Sequence, residues 1–501
     1  MRFRFITAAA ALLSTVVFAP VYAEVRNDAD TLALAARIDN NSFDRAELML
    51  GNQLQYWQPV FDTLLVETPE GEIVPNLATE WSYNDDNTVL TLKLRDGVKF
   101  TDGTPFNAEA VKANLEYLAA GNGQNAYMAR GISSFEIVSD NEIKLHLKAP
   151  DPALVNNFAV AAGAMASPAS LGKAGSDVVP VGSGAYIYDT EDSVEGSQYV
   201  YHRNPDYWNA EAYPFDTVTI TPMTDTVARM NAITAGQVDG TVADTRAVAQ
   251  AKAIGLQVHT KDVNWAGIIL ADRAGKIVPA LGDVRVRQAI NMAFDKASIL
   301  KFVDQGFGHL SDQIFPKSSQ AYDPDLDSYY PYDPEKARSL LKEAGYEDGF
   351  EIIFPEIKPF AAFYPIITQQ LADIGITATF ESLPPGSSIP VIRSGKYAAY
   401  VFTFGAHDAW TDIQQHITPD AGWNALKYSD DKLNEMIKTA QFLSGEDYAA
   451  ELRKINRYIV ENAFFAPWYR QDTIYLTNAE TNAEMQTTNT VPFIRNYSKA
   501  N

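Results

Sequence analysis

The segment from Tyr400 to His416, YVFTFGAHDAWTDIQQH, is the best candidate for ligand chemistry in this sequence. Its first five residues predict a buried strand, so His407 and Asp408 would lie just beyond the end of that strand. In open α/β sheets, ligands bind beyond the strand ends. We therefore take His407, Asp408 and Asp412 as candidate ligand-binding residues.

A metal site is one alternative for this segment. If the segment is helical, Asp408, Asp412 and His416 share one face, because residues four apart are neighbours on a helix. Their nitrogen and oxygen atoms suit a nickel or zinc ion. Neither an HExxH motif nor a cysteine ligand accompanies them. We therefore predict no metal site and no cofactor.

Catalytic alternatives lack a matching pattern. The segment Gly182-Ser183-Gly184 does not have the GxSxG spacing of a serine nucleophile. Its glycines instead allow close approach of the backbone to a ligand or to a neighbouring strand. A secreted hydrolase with two catalytic carboxylates is a further alternative, but no spacing marks such a pair. We expect a binding protein and not an enzyme.

Two further segments carry candidate contact residues. Thr31 to Ile38 predicts a buried strand, and the loop at its end contains Asn40. A helix is predicted from Gln53 to Leu65. This helix carries Tyr56 and Trp57, whose rings face a ligand in one interpretation and pack in the core in the other.

A compact α+β unit is predicted from Leu77 to Leu118. The alternation of apolar and polar residues from Thr88 to Leu94 is typical of a half-buried strand. Asp96-Gly97 predicts a turn, which a short strand from Val98 to Phe100 follows. Asn107 then caps an amphipathic helix.

Helices and strands alternate in the second half of the chain. A helical stripe of apolar residues follows Asp283, and a second helix is predicted to begin at Pro334 with Asp333 as its cap. A strand over Phe350 to Phe354 and a helix over Ile366 to Ile374 come next. This alternation favours an α/β fold.

The first residues have the features of a secretory signal. Arg2 and Arg4 precede an apolar run from Ala8 to Ala19, which is shorter than a membrane span, and small residues end at Ala23. We predict cleavage after Ala23. The sequence contains no cysteine, so a lipid-anchored cysteine is excluded and we predict a soluble periplasmic protein that is not a lipoprotein.

Composition and charge agree with a large secreted protein. The chain has 501 residues, of which 46% are hydrophobic, and a formal net charge of -23. A chain of this length builds at least two hydrophobic cores. The negative charge disfavours nucleic acid as a partner.

Three long motifs connect these elements to a known family. LATEW and LKLRDGVKFTDGTPFNAEAV lie within residues 77–111, DVRVRQAINMAFDK begins at residue 283, and YDPEKARSLLKEAGY begins at residue 332. In combination they closely resemble the bacterial extracytoplasmic solute-binding proteins of family 5, the peptide, nickel and opine class. Members of this family are receptors of ABC importers. Ala110 departs from the pattern, which usually has an acidic residue there.

The resemblance implies a two-lobed α/β periplasmic binding protein, or Venus flytrap, with an extra α+β subdomain in the first lobe. We expect a signal peptide over residues 1–23, lobe I over 24–270 and 470–501, and lobe II over 271–469. The subdomain would span about 53–180.

The resemblance also implies the function and the site. The protein would capture a small peptide or related organic solute between its lobes and, as a monomer, deliver it to ABC permease subunits that work with a cytoplasmic ATPase. An oligosaccharide or a nickel chelate is the alternative ligand. Asp408, or Asp412 in its place, would pair with the ligand's α-ammonium, although Ala406 and His407 alter the usual motif. The aromatic walls would come from Trp57, Trp265, Trp410 and Trp423.

Overall fold

A computed structural model describes residues 30–384, 387–405 and 407–500. The predicted signal sequence and its cleavage site after Ala23 lie outside these residues. The strands are β1 Thr31–Ala36, β2 Leu65–Glu67, β3 Ile73–Pro75, β4 Ala78–Tyr83, β5 Val89–Leu94, β6 Ile132–Ser139, β7 Glu142–Leu147, β8 Tyr186–Val194, β9 Gln198–Arg203, β10 Thr217–Pro222, β11 Gly240–Ala243, β12 Gln257–Leu270, β13 Gly308–Leu310, β14 Phe350–Glu356, β15 Ile376–Ser382, β16 Ala399–Gly405, β17 Phe465–Thr477, β18 Thr481–Ala483 and β19 Tyr497–Lys499.

The α-helices alternate with these strands over most of the chain. They are α1 Leu54–Trp57, α2 Ala108–Ala120, α3 Tyr127–Arg130, α4 Leu154–Asn157, α5 Thr226–Thr234, α6 Val248–Ala253, α7 Val284–Met292, α8 Lys296–Val303, α9 Pro334–Glu343, α10 Tyr364–Ala372, α11 Ser388–Arg393, α12 Ala409–His416, α13 Asp431–Gln441 and α14 Gly445–Glu461. Within the described part of the chain, no helix has both the length and the apolar character that a membrane crossing requires.

Two long antiparallel strands, β12 and β17, carry the chain between the lobes. Their first-lobe ends pair at Gln257–Asp262, and β17 also pairs there with β11. Their second-lobe ends pair at Asn264–Ile269, where β16 lies on the other side of β12. The large sheet therefore continues through both lobes, in the order β16-β12-β17-β11-β1-β10-β9-β8, with β13 also on β17.

Separate hydrophobic clusters form the two lobes and the subdomain. One first-lobe cluster surrounds β1 and β10, and its members include Leu32 and Val218. A second cluster contains residues from Leu64 to Met165 and includes the four-stranded sheet β4-β5-β7-β6 and helix α2. The second lobe has its own clusters around α7, β14 and α14. The clusters place residues 54–61 with the first lobe and residues 265–270 with the second, and the predicted domain limits stay a prediction.

Local sequence signals predicted several of these elements. Asn107 caps α2 by accepting a hydrogen bond from the amide of Ala110 at 3.0 Å. Asp333 caps α9 in the same way, at 2.8 Å from the amide of Lys336. The strand predicted over Thr88 to Leu94 is β5. The prediction of α/β architecture is confirmed.

The helix predicted from Gln53 to Leu65 is wrong beyond its first turn. Helix α1 ends at Trp57, and a turn follows it. Pro59 is the reason, because proline lacks an amide donor and disfavours helical conformation at the preceding residue. The short strand predicted from Val98 to Phe100 is also wrong, since only an isolated bridge forms there, between Lys99 and Pro105.

The glycines at 182 and 184 approach backbone and not a ligand cavity. The amide of Gly184 donates to the carbonyl oxygen of Val60 at 2.7 Å. A Cβ atom on Gly184 would lie 2.5 Å from the carbonyl oxygen of Pro59. Of the two interpretations from sequence, close packing on a neighbouring segment is confirmed.

We expect Gly184→Ala to lower the free energy of unfolding by about 1–3 kcal/mol, because two backbone segments must separate to admit the methyl group. Urea denaturation measures the change. Gly282→Ala is the matched control, since its new Cβ would meet its nearest atoms at 3.5 Å. Equal effects of the two substitutions would contradict this interpretation.

His416, at the end of α12, is buried in an aromatic cluster. Its ring centroid lies 4.4 Å from that of Phe404 and 6.5 Å from that of Trp423. Its Nδ1 atom has no hydrogen-bond partner. Burial lowers the pKa of His416 to about 4, although the charge of Asp412 opposes the shift. The folded protein therefore holds this histidine neutral.

We expect stability to fall as the pH is lowered from about 6.5 to about 4, because the unfolded chain binds a proton at His416 and the folded chain does not. Between pH 7 and pH 5, the wild type should lose about 2 kcal/mol more than His416→Gln. Urea denaturation at both pH values tests this. His202→Gln changes a histidine that lies at the surface beside Asp189, and it should alter the pH dependence much less than His416→Gln, because exposed ion pairs contribute little.

Candidate functional site

A cavity of about 470 Å³ lies between the subdomain and the second lobe. This volume is within the range of small-molecule sites. The cavity is the best candidate for the functional site, because walls from both lobes meet there. The lining residues come from 67–87, 127–128 and 150–160 in the first lobe, from 316–320, 407–411 and 441–452 in the second, and from 487–488 near the carboxyl terminus.

Asp408 lines this cavity and also caps helix α12. Its Oδ1 atom accepts hydrogen bonds from the amides of Trp410 and Thr411, each at 3.1 Å. Its Oδ2 atom accepts from the hydroxyl of Thr411 at 2.5 Å. A carboxylate has about four acceptor positions, so Oδ2 retains capacity for one more donor. Burial raises the pKa of Asp408, and its bonds with Thr411 oppose that shift.

His407 lines the same cavity but is engaged with Asp412. Nδ1 of His407 lies 2.9 Å from Oδ1 of Asp412. Burial alone would lower the pKa of His407, but the hydrogen bond and charge of Asp412 outweigh burial and raise it. Asp412 itself is 3% exposed and does not line the cavity. Its role here is to orient His407.

Asp151 faces the cavity from the subdomain. Its Oδ1 atom accepts a hydrogen bond from the amide of Ala153 at 3.1 Å. Burial raises the pKa of Asp151 to about 6, the bond from Ala153 opposes the shift, and the negative charge of Asp408 adds to it. The negative charge of Asp408 therefore acts on Asp151 within this site.

Glu67 is a third carboxylate in the lining, and protein donors already surround it. The hydroxyls of Thr487, at 3.3 Å, and Thr488 donate to its carboxylate. The guanidinium of Arg495 donates to its backbone carbonyl. Burial raises the pKa of Glu67 despite these donors.

Four aromatic residues complete the walls. Trp81, Tyr83 and Tyr127 come from the subdomain, and Tyr448 comes from α14. The hydroxyl of Tyr83 donates to the carbonyl oxygen of Asp151 at 3.2 Å. Burial raises the pKa of Tyr127 to about 12, so its hydroxyl stays protonated and adds no negative charge to the cavity.

No lysine or arginine is among the described residues that line the cavity. The lining therefore combines three carboxylates with one histidine that is paired with Asp412. Charged groups in a partly buried site require a compensating partner. This charge imbalance is the main electrostatic feature of the site.

The two lobes touch each other around the cavity. The side-chain amide of Gln441, on α13, donates to the carbonyl oxygen of Pro150 at 2.6 Å. Gln415 donates to the hydroxyl of Tyr127 at 3.4 Å. Ala153 of the subdomain packs within a hydrophobic cluster of the second lobe. The structure therefore has the cleft closed.

Several predicted contact residues lie outside the cavity. Tyr56 and Trp57 are fully buried, and they donate hydrogen bonds to the carbonyls of Ile38, at 3.0 Å, and Met49, at 2.7 Å. This arrangement matches the core-packing interpretation of both residues. Asn40 is half-buried in the loop after β1 and is not part of the cavity wall.

The remaining tryptophans also pack inside the protein. Trp265 is 2% exposed and contacts Phe404 and Phe465. Trp410 is 3% exposed, and Trp423 packs on Phe404. None of these three lines the cavity in the described part of the chain. Trp265 and Trp410 are core rings with no face left for a solute, and Trp423 is half-buried against Phe404. The prediction that these three rings stack on a ligand in the cavity is therefore corrected.

The metal alternative at Asp408, Asp412 and His416 does not match the geometry. Asp408 bonds to Thr411, Asp412 bonds to His407, and His416 points into the aromatic cluster. Among the described residues, three close candidate ligands are instead Asp189, Asp192 and His202. They lie on β8 and β9, away from the cavity.

Sequence reasoning missed Asp151, Tyr83, Tyr448 and Glu67. No local motif marks these residues, since each reaches the cavity only through the folding of distant segments. The one available signal was that Asp151 lies between two prolines. Proline is disfavoured inside a sheet, so the chain leaves the sheet after β7.

Similar proteins of known class share both sequence and fold with this chain. The glutathione-binding protein GsiB of Salmonella typhi is 32% identical over 327 residues, which is 62% of this chain and 61% of GsiB. The chain therefore matches about three fifths of the length of this curated relative.

Solved structures cover more of the chain at lower identity. The structure of HbpA2 from Haemophilus parasuis has a TM-score of 0.83 at 23% identity and covers 94% of this chain and 100% of its own. DppA from Helicobacter pylori, in complex with the peptide STSA, has a TM-score of 0.75 at 22% identity and covers 94% and 98%. The predicted two-lobed periplasmic binding protein fold is confirmed.

The family comparison extends over most of the chain. The model of the bacterial extracellular solute-binding proteins, family 5, matches residues 72–422. This range contains β4 to β7, the crossing strand β12 and Asp408. The chain therefore belongs to the family 5 bacterial extracellular solute-binding proteins.

Proposed function

We propose that this protein is the solute-binding component of an ABC importer and captures a small peptide or related organic solute between its lobes. The observation that carries this proposal is the cavity with walls from both lobes, in a chain of this family. The protein then delivers the solute to membrane permease subunits. It acts as a monomer in the periplasm, by binding and without catalysis.

Asp408 is the proposed charge partner of a ligand ammonium group. It lines the cavity, and its Oδ2 atom has an acceptor position left after capping α12. A hydrogen bond from a charged donor contributes about 1.5–3 kcal/mol. The oligosaccharide alternative relied on Trp57, Trp265, Trp410 and Trp423 as platforms. None of these four lines the cavity, although Trp81 does, so we keep this alternative second.

Closure of the cleft follows from contacts with both walls. A ligand shifts an open–closed equilibrium only through contacts that differ between the two states. Asp408 belongs to the second lobe and Asp151 to the subdomain, so a solute that reaches both stabilises the closed form. The bond from Gln441 to Pro150 supports the same state.

The solute can be identified directly from the native protein. The mature protein is purified from its own periplasm and denatured, and the released small molecules are analysed by mass spectrometry. We expect one organic solute at about one equivalent per chain, because the closed cavity retains it during purification. A protein that releases no solute, and binds none from a periplasmic extract, would contradict a receptor function.

We expect Asp408→Asn to weaken binding of the released solute by about tenfold to a hundredfold, because the charge is lost while the cap is kept. Isothermal titration calorimetry measures the affinity, and thermal unfolding verifies the fold. Asp225→Asn is the matched control, since Asp225 caps α5 at 2.8 Å from the amide of Ala228 and does not line the cavity.

The control variant should bind the solute with the wild-type affinity. Wild-type affinity in Asp408→Asn as well would rule out Asp408 as the charge partner. In that case Asp408 serves only to cap α12.

A further inference from the structure

We infer that the solute is an organic dication with no free carboxylate, held by Asp408 on the second lobe and by Asp151 on the subdomain. This inference rests on the proposed function, because it names the class of solute that the same cavity accepts. It follows from the charges of the lining, from the free acceptor positions and from the aromatic walls.

The charges of the lining favour a cation strongly. Glu67, Asp151 and Asp408 face one cavity, and among the described residues that line it there is no lysine or arginine, although Arg495 acts on Glu67 from outside the lining. Buried carboxylates without a partner either take up protons or attract a cation. The pKa of each of the three is raised, with burial as the main cause. A cationic solute would reverse this penalty.

Two of the three carboxylates have no arginine beside them. Glu67 accepts from the hydroxyls of Thr487 and Thr488, and the charge of Arg495 acts on it. The side chain of Asp151 accepts one hydrogen bond, from the amide of Ala153 to Oδ1, so its Oδ2 atom is open to a ligand. Asp408 keeps one position on its own Oδ2. Asp151 and Asp408 therefore offer the solute one carboxylate on each wall.

The aromatic side chains suit the same class of solute. Trp81, Tyr83, Tyr127 and Tyr448 surround the space next to these carboxylates. The face of an aromatic ring attracts a cation, by about 0.5–2 kcal/mol in general. An anionic group would gain nothing from these faces.

A solute with free carboxylates lacks a partner in this cavity. Glutathione, the ligand in the name of the relative GsiB, carries two carboxylates and one ammonium group. Recognition of carboxylates uses arginine or lysine, and neither lines the cavity in the described chain. His407, the histidine of the lining, is engaged with Asp412.

The arrangement also makes closure selective. Asp408 and Asp151 lie on opposite sides of the cleft, so a solute with two cationic ends bridges them and a solute with one does not. Only the bridging solute gains contacts that exist in the closed state alone. A dication therefore closes the lobes more strongly than a monocation of the same length.

Linear α,ω-diamines of increasing chain length test this inference. Each diamine is compared by isothermal titration calorimetry with the monoamine of equal carbon number. We expect at least one diamine to bind about tenfold more tightly than its monoamine, because it gains a second charge-assisted bond. The optimal length reports the distance between the two carboxylates.

Two variants assign the second charge to Asp151. Asp151→Asn should abolish the preference for the diamine, because the affinity for the diamine falls to about that of the monoamine. Asp96→Asn is the matched control, because Asp96 lies in an exposed turn of the same subdomain, where it accepts from the amide of Gly97 at 2.9 Å. The control should keep the full preference. Thermal unfolding verifies that both variants fold.

The outcomes separate the inference from the function on which it rests. The inference is overturned if no diamine exceeds its monoamine, if Asp151→Asn keeps the preference, or if alanyl-alanine or glutathione binds more tightly than every diamine. A zwitterionic ligand of this kind would still support a receptor function. If the protein binds no probe and releases no solute from the native preparation, both the inference and the receptor function are overturned.

Discussion

The pairing of β12 with β17 is the interaction on which the rest of the structure depends. These strands stay paired from Gln257 to Ile269, with register shifts near Asp262 and Gly267. A Cβ atom on Gly267 would lie 2.4 Å from the carbonyl oxygen of Ala466, so this position requires glycine. Arg470 is fully buried at the crossing and donates to Asp262 at 2.7 Å. The lobes therefore join through a continuously hydrogen-bonded pair of strands. The two register shifts in this pair are the positions at which it bends most readily.

In our proposal, electrostatics gives the cleft its selectivity. A protein with a formal net charge of -23 repels anions at long range, although salt screens this effect beyond about 8–10 Å. Inside the cavity the screening is weaker, and the carboxylates of Asp151 and Asp408 act at short range. In our proposal, a cationic solute between these two carboxylates offsets their mutual repulsion when the lobes close. Binding of the cation and closure of the lobes then both depend on the same two carboxylates.

The sequence predicted local elements well and the composition of the cavity poorly. Asn107 and Asp333 cap helices because a cap depends on a few neighbouring residues. Asp408 was found because it follows a clear strand. Trp57, by contrast, is buried by contacts with segments far along the chain, and helical spacing cannot distinguish a core ring from a ligand-binding ring. Asp151 gains its importance only when the second lobe covers it, which no local pattern records.

The position of β17 has a consequence for the order in which the protein is made. This strand, residues 465–477, lies between β12 and β11 in the sheet although it is synthesised after both of them. Until it emerges, β11 and β12 each lack a neighbour, and neither lobe has a complete sheet. Domains usually form in turn from the amino terminus during synthesis. Here the large sheet is complete only when almost the entire chain is present. A growing chain therefore stays incompletely folded. An incompletely folded chain is the form that passes through a membrane pore.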